Sequence, residues 1–309
     1  MSQQENPGNR EQQKTVSLVL GSGGARGLAH IGVIEELEAR GYVIQAISGS
    51  SMGALVGGIH ALGKLDVYRE WVKGLSQRDV ISLLDWSFSG GGIIRGNKLI
   101  RKLKHLVGES DIEELPISYT AVAVDIDRGK EVWMSDGSLF DAIRASIAIP
   151  AVFAPHSYRG RTLVDGGLLN PVPVAPTLRT LTDLTIVVDV NGPASEATSE
   201  NNNDDDGESS LMRRMIKYVE SLDITGSTAA EGLALSEVLM RSLETMQAAL
   251  TRHHLAVFRP DMVISVPKNA CMVHEFYRAG PIIELGRALA REQLEAMSRT
   301  KTDASGQPS

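Results

Sequence analysis

Two successive units of strand, glycine turn and helix open the chain, and they constrain its fold more than any other feature. The β-rich run 15–20 ends at a glycine-rich turn, and apolar residues then recur at helical spacing over 28–37. The run 43–48 predicts a second strand, and the turn 49–53 leads into a second helix. This alternation predicts an α/β fold with a parallel sheet covered by helices.

Later segments continue the pattern. The run 184–190 is almost wholly apolar, as is typical of a parallel strand buried on both faces. Aspartate and glycine at 127–129 suggest a hairpin between two further strands. The remaining predicted elements are strands at 118–125 and 130–134, a last strand within 257–266, and helices at 140–147, 211–222, 231–254 and 281–297.

Composition divides the chain into a core and polar segments. Residues 191–210 contain six acidic residues, no basic residue and no large apolar side chain, which predicts a disordered acidic insertion. A disordered lead over 1–14 and a polar tail over 298–309 are predicted from their polarity. Residues 15–190 then form the main domain core, and 211–297 form a helical part that completes it.

Charge and cysteine content exclude several classes of function. The net charge of −7, with no basic patch, argues against nucleic acid as a partner. The single cysteine, Cys271, cannot form an intrachain disulfide, which suits a reducing compartment and a structural thiol. No run approaches the roughly 18 apolar residues of a membrane span. We therefore expect a cytoplasmic protein with at most a peripheral membrane contact, and no motif indicates a metal or a cofactor.

The turn between the second strand and the second helix fits Gly-x-Ser-x-Gly, with Ser51 at its centre between Gly49 and Gly53. A nucleophilic serine at such a turn has a strained backbone, and flanking glycines remove the Cβ atoms that would clash. An ordinary glycine-rich turn is the alternative interpretation.

The earlier turn, 21–27, also joins a strand to a helix, so its free N–H groups suit a phosphate or a developing oxyanion. Gly-x-Gly-x-x-Gly fits in neither frame, and 43–48 lacks the acidic residue of a dinucleotide site. Nucleotide binding therefore remains a minor alternative. Arg26 in this turn either attracts an anionic head group or is a surface charge.

A third motif, Asp165-Gly166-Gly167, follows a short apolar strand and indicates either a functional carboxylate or a simple turn. A Ser-His-Asp arrangement in α/β-hydrolase order would place a histidine after the acid. Three histidines meet that condition without a supporting motif: His253, His254 and His274.

The three motifs in this order resemble the patatin-like phospholipase family. The runs 27–33, 142–150 and 170–173 are further similar to its bacterial branch related to neuropathy target esterase. The resemblance covers about residues 15–190 and continues more weakly to 297. It implies a three-layer α/β/α sandwich with a mostly parallel central sheet.

The resemblance also implies a role for each motif residue. Ser51 is the nucleophile and Asp165 its base, in a dyad without histidine. The backbone N–H groups of Gly23, Gly24 and Ala25 form the oxyanion hole. The elbow and motif glycines are Gly49, Gly53, Gly166 and Gly167. Ser22 departs from the pattern, since many relatives have glycine there, and a positive φ would be costly for serine.

The expected function is hydrolysis of fatty acyl esters, of the phospholipase or lysophospholipase type, with no cofactor. The substrate class is phospholipid or lysophospholipid. A weakly active or inactive patatin-like regulatory or acyl-binding protein is the alternative. The basic helix 211–222 is interpreted as core packing or as a membrane-touching or lid element. The long helix 231–254 is interpreted as core packing, as a lid or as a dimer contact.

Overall fold

The computed structural model describes residues 13–85, 94–195 and 235–305, and a central sheet of eight strands organises them. The strands are β1 Thr15–Leu20, β2 Val43–Ser50, β3 Ser118–Asp125, β4 Lys130–Met134, β5 His156–Tyr158, β6 Arg161–Asp165, β7 Leu184–Gly192 and β8 Met262–Pro267. The helices are α1 Ala29–Ala39, α2 Met52–Ala61, α3 Leu65–Lys73, α4 Gln77–Ser82, α5 Asn97–Val107, α6 Leu139–Ser146, α7 Leu235–Phe258 and α8 Ala279–Ser305.

The sheet is parallel at its centre and antiparallel at one side. Its order is β5-β6-β3-β2-β1-β7-β8, with β4 paired to β3. The pairs β1–β2, β1–β7, β2–β3 and β7–β8 are parallel, whereas β3–β4, β3–β6 and β5–β6 are antiparallel. Leu20 pairs with Gly49, so the turns after β1 and β2 emerge at the same edge of the sheet.

Side chains of alternating strand positions pack into two separate hydrophobic layers. Leu18 and Leu20 of β1 join the large cluster formed with helices that include α1, α2, α6 and α8. Val19 points to the opposite face, where it packs with Val187 and with Leu255 and other residues. Because α7 and the segment that follows residue 170 cover that second face, the sheet lies between two layers. The α/β class and the sandwich architecture are confirmed.

Most predicted elements are confirmed, with errors at their boundaries. The helix α7 runs to Phe258, so the last strand begins at Met262 and not at 257. β7 continues to Gly192 and α8 to Ser305, so both overrun the predicted starts of the acidic insertion and of the polar tail. Four elements were not predicted from the sequence: α3, α4, α5 and β5. The predicted helix 211–222, nearly all of the lead and most of the insertion lie outside the described residues. No described helix is long and apolar enough to cross a bilayer.

Helices α1 and α8 touch backbone to backbone through two glycines. A Cβ on Gly32 would lie 1.9 Å from the carbonyl oxygen of Ile283, and one on Gly286 would lie 2.1 Å from that of Ala29. Gly280 in the same helix α8 has open space around it. Close packing of these helices therefore depends on the absence of side-chain atoms at residues 32 and 286.

Replacing Gly32 by alanine is expected to lower the free energy of unfolding by about 2 kcal/mol or more, because the methyl group forces the two helices apart. The measurement is urea denaturation followed by circular dichroism. Gly280→Ala is the matched control, and we expect it to leave stability unchanged or to raise it by up to about 1 kcal/mol. Equal stability of the two variants would contradict the packing described.

Candidate active site

Ser51 sits in a strained turn that leads from β2 into α2. Its backbone angles are φ 55° and ψ −122°, a conformation that residues with a side chain rarely adopt. A Cβ on Gly49 would lie 2.4 Å from the carbonyl carbon of Gly53, and a Cβ on Gly53 would lie 2.0 Å from the carbonyl oxygen of Leu20. Both glycines are thus required sterically for this elbow.

Two neighbouring serines hold the elbow in place. The Ser51 N–H donates to Ser146 Oγ at 2.9 Å, and the Ser146 hydroxyl donates to the carbonyl of Val122 at 2.6 Å. The Ser50 hydroxyl donates to the carbonyl of Asn170 at 2.6 Å. Ser146 and Asn170 lie in the runs 142–150 and 170–173, but their contacts with the elbow appear only in the folded structure.

Asp165, at the end of β6, is brought to the same place by β3. Ser50 pairs with Val122, and the next residue of β3, Ala123, pairs with Asp165. The Asp165 N–H donates to the carbonyl of Ala148 at 2.9 Å, and Oδ1 accepts the Gly167 N–H at 2.7 Å. Ser51 and Asp165, far apart in the chain, are therefore neighbours in the fold.

A Cβ on Gly166 would lie 2.1 Å from the Val122 carbonyl oxygen, so the chain needs glycine immediately after the aspartate to pass β3. This explains the first glycine of the Asp-Gly-Gly motif by steric fit.

The Asp165 carboxyl is buried, with 4% of the residue exposed. Burial raises its pKa to about 7, and hydrogen bonding from the Ser51 hydroxyl and from the Gly167 N–H partly opposes that increase. The Ser51 hydroxyl is close enough to the Asp165 carboxyl to lower this pKa. Even so, no described residue meets full hydrogen-bond geometry with Asp165 Oδ2. A carboxylate of this kind is a far stronger base than an exposed aspartate.

The glycine-rich turn after β1 presents fewer free amides than the sequence suggests. The Ala25 N–H donates to the carbonyl of Val273 at 2.9 Å, so this amide, predicted for the oxyanion hole, is already engaged. Within the described ranges, the N–H groups of Gly23 and Gly24 make no hydrogen bond. Ser22 is not at positive φ, so serine is not strained at this position.

Arg26 is buried, with 6% of the residue exposed. The interpretation of Arg26 as a surface charge is therefore wrong. It donates to Asn191 Oδ1 at 2.6 Å and to the carbonyl of Lys268 at 3.0 Å. Asn191 in turn donates to the carbonyl of Ser22 at 2.6 Å. A further ion pair joins Arg26 to Glu244 of α7 at 3.6 Å. Arg26 thus fixes the glycine turn to β7 and to the helix that covers the site.

No histidine hydrogen-bonds to Ser51 or Asp165 in the part of the chain that the structure describes. His254 Nδ1 lies 3.4 Å from the carbonyl of Val172, and His253 is exposed on α7. His30 is fully buried against the Gly21 carbonyl, and burial lowers its pKa to about 4. The described contacts therefore do not favour a Ser-His-Asp triad over an arrangement of Ser51 and Asp165 alone.

The described residues include no group of three or more histidine, cysteine or acidic side chains that would hold a metal ion. Cys271 is buried, and burial raises the pKa of its thiol to about 11. Such a thiol is protonated at neutral pH, which agrees with a structural role.

Comparison with known proteins shows which family the chain belongs to. The family model described as patatin-like phospholipase matches residues 18–178, a range that contains all three motifs. The chain belongs to the patatin-like phospholipase family, and membership implies hydrolase activity on lipid esters.

The chain is similar in sequence to NTE family proteins and to a patatin-like phospholipase domain-containing protein. The chain is 42% identical to an NTE family protein of Mycobacterium tuberculosis over 91% of both chains. It is 30% identical to another NTE family protein of that species, over 92% of this chain and 47% of the other. Patatin-like phospholipase domain-containing protein 6 of Mus musculus is 26% identical over 76% of this chain and 18% of its own length. The solved structure of VipD from Legionella pneumophila aligns with 91% of this chain and 67% of its own, at 14% identity and a TM-score of 0.40.

Replacing Asp165 by asparagine is expected to stabilise the protein at alkaline pH. Because the folded-state pKa of Asp165 is raised from 3.8 to about 7, the folded chain binds more protons than the unfolded chain between those values. This carboxyl therefore lowers stability as pH rises through that window, by an amount on the order of 4 kcal/mol. Asparagine keeps an acceptor for the Gly167 N–H.

The measurement is the melting temperature of both proteins from pH 4 to pH 9. The advantage of Asp165→Asn is expected to grow from about pH 4 to about pH 7 and then to stay constant. A difference that is independent of pH would show that the carboxyl is not destabilised by burial.

Proposed function

We propose that this protein is a serine acyl hydrolase of the phospholipase or lysophospholipase type that works through a Ser51–Asp165 dyad. The observation that carries the proposal is the strained Ser51 elbow beside a buried aspartate whose pKa is about 7. A serine hydroxyl needs a base within reach to attack an ester. At neutral pH a substantial fraction of Asp165 is ionised and ready to accept that proton.

In the first step, Ser51 Oγ attacks the acyl carbonyl carbon while its proton moves to Asp165. The tetrahedral intermediate collapses with cleavage of the ester bond, and the proton passes to the leaving alcohol or lysolipid. The product is an acyl-Ser51 ester with Asp165 ionised again. In the second step, water attacks that ester, Asp165 takes the water proton and returns it to Ser51 Oγ, and the fatty acid leaves.

The N–H groups of Gly23 and Gly24 are the proposed oxyanion donors, since the Ala25 amide is engaged. Each donor aimed at a developing oxyanion typically contributes about 3–4 kcal/mol to the transition state. The hydrogen bonds from Arg26 to Asn191 and from Asn191 to the Ser22 carbonyl support this assignment, because they fix the turn and so pre-organise the two amides.

The proposed substrates are phospholipids or lysophospholipids taken from a membrane surface by a cytoplasmic, peripherally associated protein. Met272 supports such a contact because it is 66% exposed and precedes Val273, whose carbonyl holds the glycine turn. An exposed apolar side chain next to the residue that holds the glycine turn suits the interface of a lipid layer.

Ser51→Ala is expected to abolish both hydrolysis of p-nitrophenyl and lysophospholipid esters and labelling by a fluorophosphonate probe. Asp165→Asn removes the base and is expected to reduce kcat/KM by at least about 100-fold. Ser157→Ala, at an exposed serine of β5, is the matched control and should retain full activity and labelling.

Equal ester hydrolysis by wild type, Ser51→Ala and Asp165→Asn would contradict the mechanism. A wild-type protein that binds fatty acyl chains without Ser51-dependent turnover would instead identify the regulatory or acyl-binding alternative.

A further inference from the structure

The structure points to a role in catalysis for Gln247 of α7 that the sequence motifs do not include. We infer that the Gln247 carboxamide and the Ser22 hydroxyl position the water molecule that releases the acyl group from Ser51. The inference rests on the proposed function and makes α7 part of the active site. Gln247 and Ser22 are positioning residues, since they act on the water that Asp165 deprotonates.

Gln247, Ser22 and Asp165 converge on Gly167. A Cβ built on Gly167 would lie 2.7 Å from Ser22 Oγ, 2.9 Å from Gln247 Nε2 and 3.0 Å from Asp165 Oδ1. Three polar atoms that approach one backbone position this closely are near neighbours of each other. Glycine at 167 is thus required because any side chain there would fill the space between them.

The placement of Gln247 follows from the way α7 is attached. Toward the end of the helix, Leu255 and Phe258 pack on the cluster of Val19 and its neighbours. One turn before Gln247, Glu244 pairs with Arg26 of the glycine turn at 3.6 Å. Apolar packing on one side and an ion pair on the other therefore direct Gln247 toward the dyad.

The inward face of α7 carries polar residues among its apolar ones. The half-buried or buried positions 243, 247, 248, 250, 251, 254, 255 and 258 form a helical stripe of the kind that usually carries apolar residues. Gln247, Thr251 and His254 interrupt that stripe. Thr251 is 4% exposed, and its hydroxyl has no hydrogen-bond partner among the described residues.

Ser22 Oγ and Asp165 Oδ2 are likewise buried, and neither has a partner in full hydrogen-bond geometry within the described ranges. Buried polar atoms are nearly always paired with protein or with water. Ser22 and Asp165 both approach Gly167, so their unpaired oxygens mark a place for a polar ligand. In an ester hydrolase, the polar ligand that must contact the base is water.

The chemistry requires water to be held against the carboxylate. A buried water needs two to four polar partners. Asp165 accepts one of its protons, and a carboxamide and a hydroxyl can each donate to or accept from it. Water then attacks the acyl carbonyl carbon, Asp165 takes one proton, the carbon–Ser51 Oγ bond breaks, and Asp165 returns the proton to Ser51 Oγ. A positioned glutamine side chain is known to orient attacking water in other hydrolases.

The inference separates the two halves of the reaction. In acylation the nucleophile is Ser51 itself, so the water-positioning residues do not contribute to that step. In deacylation, loss of either group misplaces the water. A variant should therefore lower kcat and KM by the same factor and leave kcat/KM unchanged, whereas a general structural defect lowers kcat/KM.

The experiment compares wild type, Gln247→Met and Ser22→Ala with a short-chain p-nitrophenyl ester, for which acylation is fast. We expect kcat and KM to fall together by about 10- to 100-fold. A pre-steady-state burst of p-nitrophenol and an acylated protein in intact mass spectra should appear. Hydroxylamine, a strong nucleophile that needs less positioning, should restore turnover more in the variants than in wild type.

Gln293→Met on the exposed surface of α8 makes the same chemical change away from the site and should behave as wild type. Gln247→Asn, which retracts the amide by one methylene group, is the second variant and should also show the burst.

A fall in kcat/KM that matches the fall in kcat, without accumulation of acyl-enzyme, would overturn the inference. Variants with wild-type kcat would overturn it as well. In both cases loss of activity in Ser51→Ala would leave the proposed function intact, whereas wild-type hydrolysis that does not depend on Ser51 would remove both.

Discussion

The burial of one carboxylate beside a strained serine is the constraint on which the rest of this structure depends. Asp165 is almost fully removed from water, and that burial raises its pKa to about 7. β3 pairs with both β2 and β6, so Ser50 and Asp165 lie opposite the adjacent β3 residues Val122 and Ala123. Sheet register, rather than loop flexibility, brings the two groups together.

The surroundings of Ser51 and Asp165 are fixed by backbone contacts that leave little room for substitution. Gly49, Gly53 and Gly166 each pass within a methyl group's distance of another backbone segment. Arg26 links the glycine turn, β7 and α7 through Asn191 and Glu244. Several chain segments therefore meet here, and residues outside the motifs, such as Ser146 and Gln247, also lie beside Ser51 and Gly167 respectively.

The sequence predicts the sheet and the elbow well because their signals are local. Apolar strands, a glycine turn and a helix period can be read within about ten residues, and Gly-x-Ser-x-Gly carries its own steric reason. The Ala25 amide donates to the carbonyl of Val273, which lies almost 250 residues further along the chain. The sequence around Ala25 cannot predict such a contact. The same holds for Gln247, since a polar residue in an amphipathic helix gains meaning only once that helix lies beside Gly167.

The coupling between Ser51 and Asp165 is tested most directly by titration of the Asp165 carboxyl, followed by ¹³C NMR in wild type and in Ser51→Ala. The account predicts a pKa near 7 in wild type and a higher pKa in Ser51→Ala, because the serine hydroxyl lowers it. A wild-type pKa near 3.8, or the same pKa in both proteins, would contradict the account.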